Sequence, residues 1–329
     1  MMHSWARGDG SGGLHQRKVD DKVDKLKSAY HMALSNDDTL LCYSKGNKFF
    51  LWDVETKSIL SCANKPVSDL HFSEDSSEIT AVIEYPSSVV VYKTNQFDKP
   101  FFRYKFSSLF TPKAVYITNT NTLLVGCYDT IYYIDPDKNI VKSIYKIKDG
   151  SCSYITYHDS KLFVVFDCIA SNVYKTTCVV LRLLFNAGEE GKTDKISMDY
   201  PSVIEIKAHD FTENAEWFTE TPKGEKYVAL SGWNSFKIYH VYDWNKMEKV
   251  YGIKSMVDRT FVSGNNSIAG IVLRTGEETK VKLFSLGQDV RQIYEHTDSD
   301  YVYYARISSS GNYLLVPHSK DSKIIPIRI

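Results

Sequence analysis

Apolar residues fall along most of this chain in short runs, separated by clusters of Ser, Asn, Asp, Gly and Lys. The clearest stretch starts at Ala33 and reads ALSNDDTLLCYSKGNKFFLWDVETKSIL. Its apolar runs, TLLCYS and FFLWD, are too short for helices and are rich in aromatic and aliphatic residues, as strands are. The interruptions SNDD, KGN and ETK are turn chemistry: Asn, Asp and Ser bond their own backbone, and Gly supplies conformations closed to other residues. The pattern predicts strand, turn, strand, turn, strand, turn, strand over about thirty residues.

The same arrangement returns. From His71 the chain reads HFSEDSSEITAVIEYPSSVVVYKTNQ, with SEDSS, EITAVIEY and VVVYK in place of SNDD, TLLCYS and FFLWD. Further copies begin at Tyr116, Tyr154, Phe218, Phe261 and Ala305, which makes seven. The positions equivalent to Trp52 are Tyr92, Ile134, Arg182, Tyr239, Phe284 and about Pro326. Their separations are about 40, 42, 48, 57, 45 and 42 residues, and a four-stranded repeat of that length is a propeller blade. The predicted fold is all-β: a seven-bladed β-propeller of four-stranded antiparallel blades. The expected buried positions on its inner and middle strands are Leu40, Leu41, Phe50, Leu51, Val90, Leu123, Leu124, Phe163, Val164, Val228, Ile238, Leu283 and Leu314. The seventh copy stops after its third strand. Leu14 to Lys27, LHQRKVDDKVDKLK, is expected to supply the missing outer strand and join the two ends of the ring. Val19, Val23 and Leu26 also fit a helical spacing, so a short helix there stays open. Residues 1–13 read as a flexible tail and 14–329 as the propeller.

On Phe50-Leu51-Trp52-Asp53, with echoes at Tyr133-Ile134-Asp135 and Lys282-Leu283-Phe284, the chain resembles the WD40-like family of seven-bladed propellers. The Gly-His pair common at blade starts in that family is absent, so its Asp-His-Ser/Thr-Trp network does not carry over. TIYYIDPDKNIVKSI is also similar to propeller repeats of the YVTN type. The resemblance implies a non-catalytic interaction scaffold. It also implies that the loops joining second to third strands, with the loops between blades, line one binding rim. On this chain the first set holds Lys45 and Asn47, Tyr85 and Pro86, Tyr128, Trp233 and Asn234, Arg274, and His318 and Lys320. Trp233, in the polar turn GWNSF, is the expected hot spot, because truncating an interface Trp commonly costs about 2 kcal/mol or more.

Charge and composition narrow the partner. The 40 basic and 40 acidic residues cancel, which gives no sign of a protein organised around nucleic acid or anionic membrane. No apolar run reaches the roughly 18 residues of a membrane helix, and the N-terminus lacks the apolar core of a secretory signal. The six cysteines form no CxxC or zinc spacing, and Cys42, Cys127 and Cys152 lie in apolar runs. They read as buried thiols in a reducing, cytoplasmic protein.

Candidate chemistry is sparse. GDGSGG, Gly8 to Gly13, lacks the Gly-Lys-Ser/Thr of a phosphate loop. Asp135-Pro136-Asp137-Lys138-Asn139 lacks the central Gly and distal Glu of a calcium loop and reads as a turn. Leu273-Arg274-Thr275-Gly276 is one arginine short of a phosphoinositide motif. No catalytic residue, cofactor or metal site is expected. The protein is expected to act as a monomer within a complex, holding a protein or peptide partner. The alternative is a channel-centred propeller enzyme, a lactonase or hydrolase with or without a metal, whose residues would converge from several blades. Asn186 to Pro201, rich in Gly, Lys and acids, reads as a long loop between the third and fourth strands of blade four.

Overall fold

The structure is a computed structural model. It describes residues 26–117, 120–170, 173–186, 195–198, 202–206, 213–232, 234–243, 246–287, 289–299, 301–302, 304–318 and 320–327. Residues 1–13 and most of Leu14 to Lys27 lie outside that set.

Seven antiparallel sheets form a ring of blades. Blade 1 is Met32–Leu34, Leu40–Lys45, Lys48–Asp53 and Ser58–Ala63. Blade 2 is Asp69–Phe72, Glu78–Ile83, Ser88–Lys93 and Phe102–Lys105, and blade 3 is Lys113–Tyr116, Leu123–Cys127, Thr130–Asp135 and Ile140–Lys146. Blade 5 is Glu213–Glu220, Lys226–Gly232, Ser235–Asp243 and Lys246–Ile253. Blade 6 is Val257–Val262, Ile268–Thr275, Glu278–Ser285 and Arg291–Asp298. The described residues contain no helix. First strands of successive blades lie side by side around the axis, and fourth strands face outward.

Packing explains the hydrophobic pattern. Seven buried clusters each straddle one junction between neighbouring blades, including that between blades 7 and 1. A second strand is covered on both faces, so alternate residues serve different junctions. Leu123 and Val125 pack toward blade 2 while Leu124 packs toward blade 4. Hence Glu78–Ile83 is buried at every position, whereas the outer strand Ser58–Ala63 buries only its last residue. Of the expected core residues, Leu40 and Phe50 are only half-buried, and the other eleven are buried. Phe50 stacks on Tyr43 at 5.2 Å at the edge of the cluster joining blades 7 and 1, so its outer surface stays open.

One turn recurs between first and second strands. In blades 1, 2, 6 and 7 a Ser hydroxyl (Ser35, Ser73, Ser263, Ser308) accepts the N–H five residues on, at 2.9, 2.9, 3.0 and 3.1 Å. The side chain two residues on (Asp37, Asp75, Asn265, Ser310) accepts the N–H two beyond itself, at 3.2, 3.0, 3.1 and 3.2 Å. The residue between those two is left-handed: Asp38, Ser76, Asn266 or Gly311. These turns form one rim of the ring and touch across blade boundaries: Ser310 donates to Asp38 at 2.9 Å, and Asn36 donates to the Glu74 carbonyl at 2.7 Å.

Blade 7 contains Arg306–Ile307, Tyr313–Val316 and Asp321–Pro326. Leu26–Lys27 pair with Ser322 and Asp321 as its outermost strand. The Ala29 N–H donates to Ser322 Oγ at 3.2 Å and the Ser28 N–H to the Lys320 carbonyl at 3.1 Å.

Blade 4 departs from expectation. Its second and third strands are long, Lys161–Ala170 and Val173–Asn186, after a first strand at Gly150–His158. Ser202–Ile206 pairs with Thr176–Val180 as the fourth strand. Lys195–Met198 pairs with Leu183–Asn186, so the predicted loop Asn186 to Pro201 carries a strand of its own. The third strand simply runs on: VVLRLLFN has no turn residue before Asn186. The Asp135–Asn139 turn is as expected, with Asp135 Oδ1 accepting the Lys138 N–H at 3.0 Å.

Candidate interaction rim and channel mouth

Antiparallel alternation places the loops between blades and the turns joining second to third strands on one rim, opposite the serine turns. Thirteen large hydrophobic residues are exposed among the described residues. Eight sit in the loops of this one rim: Tyr30, Tyr85, Leu109, Phe110, Tyr128, Met256, Tyr301 and Tyr304. Of the other five, Ile59, Leu60 and Met247 lie in outer strands, Phe101 just before one, and Tyr242 at the end of the third strand of blade 5. The described serine turns carry none.

The residues anticipated for this rim divide. Lys45 is exposed in the tight turn before Lys48, where Gly46 has φ +57°. Tyr85 is 70% exposed beside Pro86. Tyr128 is exposed with φ +53°, and its ring stacks on Phe110 at 4.7 Å. Asn234 and Lys320 are exposed, and Trp233 lies outside the described residues. Arg274 is exposed, with its guanidinium 5.2 Å from the Tyr301 ring centre. His318 does not present its side chain to the rim; it is 3% exposed. Its backbone bridges Val302, its N–H donates to Ser322 Oγ at 2.9 Å, and its Nδ1 accepts the Lys320 N–H at 3.0 Å, which turns the ring inward.

The structure joins Tyr85 and Tyr128 through residues that sequence reasoning passed over. The loop from blade 2 to blade 3 carries Leu109, 83% exposed, and Phe110. The Phe110 carbonyl accepts the Ser87 hydroxyl from the Tyr85 turn, and its ring covers Tyr128. The signal was present in SSLFTP: two bulky apolar residues between serines and a proline, outside any strand. Tyr30, Met256, Tyr301 and Tyr304 likewise lie in loops between blades, whose exposure the repeat pattern does not mark.

Polar groups gather where this rim meets the channel. Arg306, on the first strand of blade 7, reaches past blade 1 to Asp69 and donates to the Leu70 carbonyl at 2.7 Å. His71 Nε2 lies 3.0 Å from the other Asp69 oxygen. Burial works against the Asp69 charge, but Arg306 and then His71 hold its carboxyl well below the usual range. Beside this pair, the Tyr304 ring lies 4.6 Å from the His31 ring and 5.1 Å from the Arg259 guanidinium. Burial lowers His31 to about 4; Asp69 opposes that shift, while Arg306, Arg259 and Lys113 add to it. Further round, Glu216 accepts hydrogen bonds from Ser231 and, at 3.4 Å, from Thr260. Among the described residues no three His, Cys, Asp or Glu side chains are grouped so as to hold a metal ion. No described helix is long and apolar enough to cross a membrane.

No family model and no curated protein matches the sequence. Solved structures match the fold. The WD40 repeats of RRP9 superpose with a TM-score of 0.64 at 9% identity, over 93% of this chain and 97% of that one. The propeller domain of Cps50 (Swd1) from Myceliophteria thermophila gives 0.65 at 9%, over 93% and 98%. Raptor from Chaetomium thermophilum gives 0.66 at 11%, over 93% of this chain and 28% of that one. The chain is therefore similar in fold to WD40 repeat propellers.

Proposed function

We propose that the protein is a non-catalytic scaffold that holds a protein or peptide partner on the loop rim. The observation that carries this reading is the concentration of exposed Tyr, Phe, Leu and Met side chains on that rim. Aromatic residues and Met are enriched at interface cores. A rim mounted on seven packed sheets also binds with little ordering cost. Similarity in fold to a chain of the mitotic checkpoint complex supports the same role. We also propose that it works as a monomer within such an assembly, in the reducing cytoplasm. No disulfide joins its six cysteines, and five of them are buried.

The channel supports this reading over a hydrolase. General acid–base catalysis calls for groups that titrate near the working pH. At the channel mouth Asp69 is already engaged by Arg306 and His71, and burial lowers His31 to about 4.

The test is affinity purification with mass spectrometry, comparing wild type with Tyr85→Ala/Tyr128→Ala, Trp233→Ala, and the outer-strand control Ile59→Ser/Leu60→Ser. Loss of partners from the rim double variant but not the control, with melting temperature unchanged, is the expected result. Retention of every partner by that folded variant would overturn the rim assignment.

A further inference from the structure

The chemistry of one part of this rim points to the kind of partner it takes. The rim segments 28–31, 45–48, 63–68 and 317–320, from blades 7 and 1 and the loop into blade 2, carry Lys45, Lys48, Lys65 and Lys320 and no carboxylate. Lys45, Lys48 and Lys65 have no ion-pair partner among the described residues. Just inside, at the channel mouth, Arg259 and Lys113 also lack a described carboxylate partner, and both act on the charge of His31. Of the carboxylates near them, Asp69 is engaged by Arg306 and His71, Glu216 accepts from Ser231 and Thr260, and Asp258 precedes Arg259 in the chain. Elsewhere on the molecule, Lys93, Lys146, Lys161, Lys282 and Lys323 are paired with carboxylates of the chain itself, while others, Lys105, Lys142 and Lys254 among them, have no ion pair among the described residues. What sets the quadrant apart is that its rim segments carry lysines and no carboxylate. Among these cations stand the exposed side chains of Tyr30 and Tyr304.

We infer that this quadrant of the rim, with the channel mouth beneath it, receives an acidic peptide segment of a partner protein. Carboxylates of the segment lie against the lysines and Arg259, and an apolar side chain of the segment packs on Tyr30 and Tyr304. The inference rests on the scaffold reading above and adds the partner's charge to it.

A nucleic acid fits less well. Nucleic-acid binding rests largely on neutralising backbone phosphates, and the chain as a whole is neutral, 40 basic against 40 acidic residues. Tyr304 is also no bare platform for a base, with His31 and Arg259 already against its ring. An acidic segment needs only a few charge pairs and one anchor. Pairs at such a rim chiefly raise the association rate and select the partner, and they weaken with salt.

The experiment pans the full chain against a display library of random dodecapeptides and measures selected peptides by fluorescence anisotropy at low and high salt. The inference predicts selected peptides of net negative charge. It predicts binding weakened about tenfold or more by Arg259→Glu and by Lys45→Glu/Lys48→Glu, with melting temperatures unchanged. All three side chains are exposed, so these variants are expected to fold. Selection of neutral or basic peptides would overturn the acidic partner and leave the scaffold reading standing. Acidic peptides bound equally well by both variants would also overturn it. Selection of no peptide would overturn the acidic segment and leave the scaffold reading, which also admits a folded protein partner, to the affinity purification above. Tighter binding of a labelled oligouridylate than of the best acidic peptide would replace the peptide with a nucleic acid.

Discussion

The Glu78 side chain has no exposed surface, and its carboxyl lies 3.6 Å from the Lys93 ammonium, which also reaches Asp137 at 3.2 Å. Burial pushes this carboxyl up to about 7; Lys93 opposes the shift and Asp137 adds to it. His31 is shifted the other way, to about 4. The two have opposite linkage. The folded Glu78 binds a proton that the unfolded chain releases above the ordinary carboxyl value of 4.5, so its contribution is lost as pH rises from there to about 7. The folded His31 stays neutral where the unfolded chain takes up a proton, so stability is lost as pH falls from 6.5 to about 4. Each effect is on the order of 3 kcal/mol across its window. They nearly cancel in the wild type between about pH 4.5 and 6.5. Urea unfolding over this range should therefore find stability rising with pH in Glu78→Gln and falling with pH in His31→Gln; identical slopes in both would refute the assignment. Neither group was legible in the sequence. Glu78 stands among apolar residues without announcing which face it takes, and His31 meets Tyr304 only because the ring closes. His318 was misread for a related reason: a polar turn, PHSK, hides a side chain whose partners come from elsewhere in blade 7.

Elements were the most legible level. SNDD and SEDSS mark the turns because Ser and Asp at a two-residue spacing bond the same loop, and the structure places those bonds where the motif lies. Ser73→Ala leaves the buried Glu78 N–H without its 2.9 Å acceptor. It is expected to lower unfolding free energy by about 1–3 kcal/mol, as leaving a buried donor unsatisfied does. Equal stability of Ser73→Ala and wild type in denaturant titrations would show that the turn is held by its backbone alone. The blade 4 insertion was less legible: its composition signalled a loop, and only pairing with Leu183–Asn186 reveals Lys195–Met198 as a strand.

At the scale of the whole molecule, seven junctions share one construction, and each second strand ties two of them together. Leu124 is fully buried between blades 3 and 4, and Leu51 nearly so between blades 1 and 2. Replacing either by Ala should cost about 2–5 kcal/mol, measured by denaturant unfolding, because the cavity cannot collapse between two rigid sheets. A loss below about 1 kcal/mol at both would mean that the junctions are loosely packed. The ring was legible because the repeat recurs seven times, so single degenerate copies did not obscure the period. The rim was half legible: topology names its face, but exposure depends on how neighbouring loops cover one another, as Phe110 covers Tyr128.

Site-specific photo-crosslinking in the native cell tests most directly whether partners engage this face. A photoreactive phenylalanine analogue is placed singly at Tyr85, Leu109, Tyr128 and Met256 on the loop rim. It is also placed at Asn36, Glu74 and Asn312 on the serine-turn rim, and at Ile59 and Leu60 on an outer strand. The account predicts crosslinked partner protein from the loop-rim positions and none from the others. Crosslinks confined to the serine-turn rim or the outer strand would contradict it.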